Sequence, residues 1–337
     1  MNGFSPRKAR IVATGSYLPE RVLTNQDLEK IVETSDEWIS TRTGMKERRI
    51  AAKDEFTSDL GFKAAQDAMK KAGITSDEID LIIVATLTPD YIIPSTACMI
   101  QSLLGASRAA AMDIQAACTG FLYGLSLAKG LVEAGMYRTV LLIAAEKLSS
   151  ITNYKDRNTC VLFGDGAGAC IVRSEGAGLL IHDVSLGADG EQGQLLILPG
   201  GGSRHPATAQ TVADDLHYIR MEGKEVFKHA VRRMEGACKE SLSKAGFDEE
   251  HAAWLIPHQA NMRIIEALAK RFNVSMEKVF ITLHKYGNTS ASSLGIALDE
   301  FRKEKEVAPG EPILLAAFGA GFTWGASVLT FSSKENT

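Results

Sequence analysis

The chain has 337 residues, 45% of them hydrophobic and 23% charged, with a formal net charge of −4 at pH 7. That length buries a large core and suits two domains or one duplicated unit, and the composition is that of a soluble globular protein. The charge gives no bulk attraction for nucleic acid or an anionic membrane, leaving only local basic patches, and no apolar run approaches the roughly 18 residues of a membrane span.

At the start, MNGFSPRKAR is basic, but IVATG breaks into turn residues where an apolar segment would follow, so no secretory signal is expected. A short strand is expected over Ile11–Thr14 and a helix from the cap Thr24 to Ile31. The stretch Glu37–Arg49, EWISTRTGMKERR, mixes basic and aromatic residues. Ser58–Ala72 has helical periodicity and stops at Gly73, a C-terminal cap glycine. DLIIVAT (80–86) reads as a buried strand, Pro94–Leu104 as a helix, and Thr139–Ala145 as a second apolar strand. Between them, AMDIQAACTGFLYGLSLAKGLV (111–132) leads from a strand end through Cys118 into a helix whose apolar face carries Leu122, Leu125 and Ala128. Strands are expected over Cys170–Val172, Leu179–Ser185, Trp254–Ile256, Val279–Thr282, Pro312–Phe318 and Gly325–Phe331. Helices are expected over Met221–Ala245, Met262–Phe272 and Ser292–Lys305. Pro199–Asp215 reads as a Gly-, Ala- and Thr-rich loop.

Three stretches recur in the same order. DAMKKAGITSDEIDLIIV (67–84) has the pattern of ESLSKAGFDEEHAAWLIP (240–257), ACTGFLYGLSLA (117–128) that of GNTSASSLGIAL (287–298), and FGDGAGACIV (163–172) that of FGAGFTWGASVL (318–329). Strands alternating with helices in two copies imply layered α/β packing with mixed sheets. The repeat also pairs Cys118 with Asn288, each just before a helix. Two halves packed about a pseudo-twofold axis bring these positions face to face.

Cys118 is a candidate nucleophile. A thiol at the start of a helix lies at the positive end of its dipole, which favours thiolate; the bland alternative is a buried structural thiol, the reading that holds for Cys98, Cys160, Cys170 and Cys238. Five cysteines without CxxC spacing fit reduced thiols in a cytosol better than disulfides or a zinc site. His258, in LIPHQANMRI, projects from a strand end, where α/β sites sit, and is either an acid–base or oxyanion partner or a structural histidine. GDGAGA (164–169) imitates a dinucleotide fingerprint but runs into a strand instead of a helix. A backbone N–H from Gly319–Gly321 can form an oxyanion hole with that of Cys118. Trp38, Arg42 and Arg157 suit a nucleotide-containing ligand by stacking and phosphate binding. Arg263, Lys270 and Arg271, with Lys224 and Lys228, form either a solvated face or a dock for an acidic partner. No metal constellation has believable spacing.

The pieces DEWISTRTGMKERR, DIQAACTGF, DGAGA, PHQANMRI, HKYGNTSASS and FGAGFTWGA together resemble the beta-ketoacyl-acyl carrier protein synthase III family, initiating condensing enzymes of bacterial fatty-acid synthesis in the thiolase-like superfamily. The resemblance covers nearly the whole chain. It implies a duplicated five-layer αβαβα sandwich, divided at 1–177 and 178–337. It implies a Cys–His–Asn triad on Cys118, His258 and Asn288, where elongating enzymes have Cys–His–His, and an oxyanion hole from the N–H groups of Cys118 and Ala320. Trp38, Arg42, Arg157 and Asn261 then line a coenzyme A channel, and Arg263, Lys270, Arg271 and Lys228 the carrier-protein face. The implied enzyme is a cytoplasmic homodimer that uses an acyl-CoA and malonyl-acyl carrier protein as substrates, with no cofactor. Two departures stand out: Ala320 replaces the middle glycine of the family's Gly-Gly-Gly run, and Ile93 replaces an often aromatic cap on the partner subunit's acyl pocket. The rival readings are a related acyl-CoA condensing or polyketide-type synthase, from another class a cysteine hydrolase with its own Cys–His–Asn set, and a non-catalytic CoA-binding or scaffold protein, against which the retention of all three polar residues speaks.

Overall fold

The computed structural model describes residues 7–248 and 254–332. The first six residues, which open MNGFSPRKAR, and residues 249–253 within the second copy of the first repeat lie outside the described residues, as do 333–337. The first half contains β1 (Arg10–Tyr17), then β2 (Arg21–Thr24) and β3 (Glu47–Ile50), an antiparallel pair enclosing α1 (Asn25–Glu29) and α2 (Asp36–Thr43). It continues with α3 (Thr57–Ala72), β4 (Leu81–Ala85), α4 (Thr96–Leu104), β5 (Ala110–Ile114), α5 (Gly120–Glu133), β6 (Thr139–Glu146), α6 (Arg157–Cys160) and β7 (Gly166–Arg173). The second half has β8 (Gly178–Ala188), β9 (Leu196–Ile197), α7 (Ala209–Ala213), β10 (Arg220–Met221), α8 (Gly223–Ala245) and β11 (Trp254–Pro257). It closes with α9 (Met262–Arg271), α10 (Leu283–Tyr286), α11 (Ser292–Glu304), β12 (Pro312–Gly319) and β13 (Thr323–Ser332).

Local chemistry sets several of these boundaries. Thr24 caps α1 with a reciprocal Asp27 bond, and that helix ends at Glu29, two residues short of the expected Ile31. Asp59 accepts the Phe56 N–H at the start of α3, and Gly73 ends that helix at φ 65°. The expected basic–aromatic stretch 37–49 divides into α2 and β3 at Gly44, whose φ is 79°. The expected loop 199–215 contains the short helix α7 and is closed by the Gly200 N–H on the Leu216 carbonyl.

The two halves share one strand order. In the first, β5-β4-β6-β7-β1 has β4 parallel to β5 and β6, with β7 antiparallel to β6 and β1. In the second, β11-β12-β13-β8 repeats the parallel and two antiparallel pairings. The missing outer strand is the expected Val279–Thr282, which makes a single parallel bridge, Leu255 with Val279. The Gln259 side chain explains the shortfall: its Oε1 accepts the N–H groups of Thr282 and Leu283, and its Nε2 donates to the carbonyls of Pro257 and Phe280. A side chain thus occupies the place of ladder bonds. The halves are not separate sheets either. β1 pairs with β8 through Arg10–Leu180 and Ile11–Leu179, giving one nine-stranded sheet.

Five layers result. Helices α3 and α4 bury Leu60, Ala64, Ala97 and Ile100 on one face of the first half-sheet. α5 and α11 lie in the middle, where Phe121, Leu125, Leu294 and Phe301 pack against inward residues of both half-sheets. α8 and α9 bury Met234, Leu242, Ile265 and Leu268 on the far side. Strands covered on both faces carry continuous apolar runs, as in LIIVA and the VLLIAA of β6. The middle layer is tight. A Cβ on Gly168 of β7 would lie 2.5 Å from the Gly295 carbonyl carbon of α11. Gly168→Ala therefore forces backbone apart and should cost about 1–3 kcal/mol, read as a lowered thermal midpoint; an unchanged midpoint would show that the two elements separate freely.

Candidate active site

Cys118 lies in the turn Ala117–Thr119 that feeds α5. Ala117 before it has φ 46°, a left-handed conformation rare for alanine. The turn is held from the other half. Thr323 Oγ1 donates to the Ala116 carbonyl at 2.9 Å, and Thr119 Oγ1 donates to the Thr323 carbonyl at 3.2 Å. Gly319 leaves the room this needs, since a Cβ there would stand 2.7 Å from the Cys118 nitrogen. Ala320 is not among the residues at positive φ, so alanine fits without strain where the family pattern has glycine.

Cys118 is 8% exposed. Burial pushes its thiol up to about 12; the Glu146 charge acts the same way, and a Ser290 hydroxyl contact opposes them. The expectation of a helix-stabilised thiolate is thereby corrected: in this pocket desolvation dominates and the proton stays on sulfur.

His258 follows β11, fixed by its N–H on the Ala316 carbonyl at 2.7 Å. It is 4% exposed, neither ring nitrogen has a hydrogen-bond partner, and burial lowers its pKa to about 4. At neutral pH it is an uncharged imidazole with one N–H to give. Asn288 is pinned at its backbone: its N–H reaches the Leu162 carbonyl and its own carbonyl accepts from Gly164. Its side-chain oxygen accepts the Ser290 N–H at 2.8 Å, leaving the NH₂ end to donate. Thus Asn288 and Ser290 are joined, and the Gly319 turn touches Cys118 from the strand β12 that also holds His258.

The expected nucleotide residues meet on one surface. Arg42 and Arg157 place their guanidinium carbons 4.8 and 4.7 Å from the centre of the Trp38 ring. Asn261 caps α9 through Arg263 N–H and donates to the Arg42 carbonyl, so it ties α9 to α2. Arg263 and Lys270 are exposed and seven residues apart on α9, hence on one face. Arg271 turns toward Glu235 of α8, and Lys228 pairs with Glu225. Ile93 is 86% exposed, beside Ile92 at 83% and Tyr91 at 59%. Among the described residues no group of three His, Cys, Asp or Glu side chains is gathered as a metal site would require.

Four residues near the site escaped the sequence reading. Arg48 is fully buried and donates to the Val161 carbonyl and Asn25, with its stem beside Gly164 and Gly287. Gln259 fixes the segment after His258. Glu146 and Ser290 are buried polar groups, Glu146 held by Thr86, Leu87 and Thr88 and Ser290 bonded through its N–H to Asn288. Their signal is polarity at positions where the pattern calls for core: Glu146 ends an otherwise apolar strand.

Comparison with known proteins gives one answer. Residues 112–190 match the family 3-oxoacyl-[acyl-carrier-protein (ACP)] synthase III, and 242–331 match its C-terminal part. The chain is 60% identical to the beta-ketoacyl-[acyl-carrier-protein] synthase III of Chlamydia muridarum over 96% of this chain and 99% of that one. It superimposes on the crystal structure of 3-oxoacyl-[acyl-carrier-protein] synthase III from Aquifex aeolicus VF5 with TM-score 0.87 and 49% identity, covering 96% and 100% of the two chains. The priming beta-ketosynthase of the R1128 polyketide pathway aligns with TM-score 0.89 and 34% identity over 99% and 100%.

The depressed His258 pKa has a stability consequence. An unfolded histidine titrates near 6.5, so the unfolded chain takes up that proton first as pH falls. The stability from the neutral ring is complete above pH 6.5 and is lost progressively toward pH 4. Urea unfolding at pH 7 and pH 4.5 should show wild type losing on the order of 2–3 kcal/mol more than His258→Gln. Equal losses would mean the ring is solvated.

Proposed function

The chain belongs to the beta-ketoacyl-acyl-carrier-protein synthase III family, and from that premise we propose that it is an acyltransferase joining an acyl-CoA primer to malonyl-acyl carrier protein through an acyl-Cys118 intermediate. The observation that carries this reading is the buried, uncharged His258, unpartnered at both nitrogens, set with Asn288 around a buried thiol.

In the proposed sequence the primer transfers its acyl group to Cys118 Sγ and CoA leaves. Malonyl-carrier protein enters next. His258 and Asn288 donate to its thioester oxygen, and loss of CO₂ leaves enolate charge that these two donors hold. A neutral imidazole gives that hydrogen bond without bringing a charge into an apolar pocket, which the low His258 pKa supports. The carbon attacks acyl-Cys118, whose oxygen faces the N–H groups of Cys118 and Ala320. The Gly319 approach to Cys118 supports that pairing. Expulsion of Sγ gives 3-oxoacyl-carrier protein, and CO₂ loss drives the cycle forward.

The stacked Trp38, Arg42 and Arg157, with Asn261 behind Arg42, are proposed to hold coenzyme A, the rings and guanidiniums taking the adenine and phosphates. Arg263 and Lys270, backed by Arg271 and Lys228, are proposed to receive the acidic carrier protein. The exposed Tyr91–Ile93 run and the half-exposed edge strand β5 support a homodimer in which Ile93 caps the partner's acyl pocket. Five free cysteines support a reducing compartment, the cytoplasm. The shared strand order supports 1–177 and 178–337 as two copies of one unit.

Radiolabelled acyl-CoA should label wild type but not Cys118→Ser. His258→Ala and Asn288→Ala should keep that labelling and lose condensation about 10²-fold or more; equal loss of both half-reactions overturns the assignment. Arg263→Ala with Lys270→Ala should slow turnover with malonyl-carrier protein but not with malonyl-CoA; an equal effect on both favours a polyketide-type or acyl-CoA condensing enzyme. Isobutyryl-CoA should prime as well as acetyl-CoA if Ile93 leaves a wider pocket, whereas strict acetyl preference counts against that role.

A further inference from the structure

The hairpin turn between β12 and β13 begins Ala320-Gly321, so a single methyl is all it offers for packing before Phe322. Gly321 holds φ 138°, a backbone conformation that side chains rarely adopt. The direction of the Ala320 N–H is therefore set by what grips the turn from outside. On the Cys118 side, Thr323 Oγ1 stands 2.9 Å from the Ala116 carbonyl and 3.1 Å from the Ala320 carbonyl. On the β8 side, Asp189 exchanges two backbone hydrogen bonds with Phe322, at 2.8 and 2.6 Å, one pair beyond the Ala188–Thr323 end of the β8–β13 ladder. Phe322 itself is fully buried against Phe318 and against His229 of α8. Asp189 is in turn held by its side chain. Its Oδ1 accepts the Glu191 N–H at 3.1 Å, and its Oδ2 pairs with the Arg233 guanidinium of α8. That guanidinium carbon lies 4.2 Å from the centre of the Trp324 ring, two residues after Phe322. The ring lies so close to Gly187, its partner in the ladder, that a Cβ there would be 2.4 Å from a ring carbon. Both charged side chains are mostly covered, Arg233 16% and Asp189 22% exposed. Removing one member of a pair so withdrawn from water leaves the other charge uncompensated.

We propose that Arg233 and Asp189 are positioning residues that aim the Ala320 N–H at the oxygen of acyl-Cys118. This rests on Cys118 being the acyl acceptor and on Ala320 furnishing its oxyanion hole. Both residues act through the backbone: Arg233 holds the Asp189 carboxylate, Asp189 holds both backbone groups of Phe322, and Phe322 fixes the end of the turn that Ala320 opens. An oxyanion hole there serves both steps at sulfur. The thioester carbon becomes tetrahedral when Cys118 is acylated and again when the carbanion attacks, and each time its oxygen gathers charge. Loss of CO₂ from malonyl-carrier protein draws instead on His258 and Asn288, which the Asp189–Phe322 pair does not hold: their backbones are fixed on the Ala316, Leu162 and Gly164 backbone groups. A loosened turn therefore slows acyl transfer and spares decarboxylation, a division that general loss of fold would not give.

The test compares two half-reactions in Arg233→Met, which keeps an apolar stem beside Trp324 and removes the charge. One is single-turnover transfer of radiolabelled acyl-CoA to Cys118; the other is CO₂ release from malonyl-carrier protein without primer. Acyl transfer should slow about 10-fold or more at an unchanged half-saturating concentration of acyl-CoA, because the oxyanion forms only on the way to the transition state. CO₂ release should keep its wild-type rate. Arg233→Lys, which returns a cation to Asp189 and Trp324, should restore most of the lost acyl transfer. Asp189→Asn, which keeps the backbone bonds to Phe322 and an acceptor for the Glu191 N–H, repeats the test and decides alone if Arg233→Met does not fold. Wild-type acyl transfer in these variants, or equal loss of both half-reactions, overturns the positioning role while leaving the acyl-acceptor reading intact. No label on wild-type Cys118 overturns both.

Discussion

Backbone contact between two turns from opposite halves of the chain underlies the site. The Cys118 turn lies against Gly319 closely enough that a Cβ would be 2.7 Å from its nitrogen, and Thr323 bonds both ends of that turn. Such an approach is available only because α5 and α11 share one layer, each covering a half-sheet, with glycine at the crossings. The left-handed backbone at Ala117 and Ser290 is the strain this geometry retains, and both residues adjoin the reactive groups.

Burial at that junction then decides the charges. Cys118, His258 and Glu146 are all enclosed; burial keeps the first two neutral and shifts the third toward its neutral form. A dry pocket of neutral donors is suited to charge that develops during reaction and not before. The same dryness explains why the helix end does not suffice to ionise the thiol. What the dipole offers is about 1 kcal/mol at a typical terminus, whereas a rise of the thiol from 9 to about 12 reflects several times that.

The outer surface follows a different logic. There, exposed cations and one aromatic ring make contacts that water screens, so Trp38 with its two arginines and the α9 cations add little to stability. Arg48 links the two regimes. It is the buried member of a basic stretch and braces the Val161 carbonyl beside the segment that pins Asn288.

Periodicity in the chain determined the α/β class, most elements and the duplication, because buried strands and helix faces leave a local apolar signature. The repeat paired Cys118 with Asn288, and its place at the end of an apolar strand singled out His258. Segments bonded by side chains left no such signature: Val279–Thr282 has strand-like residues, yet Gln259 takes its hydrogen bonds, so the strand shrinks to one bridge. Protonation was equally hidden, since it depends on desolvation by residues remote in sequence. Sequence by itself therefore named the thiol, the imidazole and the amide; only the tertiary structure decided that the thiol and imidazole are uncharged and that the Gly319 turn lies against Cys118, because burial and close approach are properties of the packed chain.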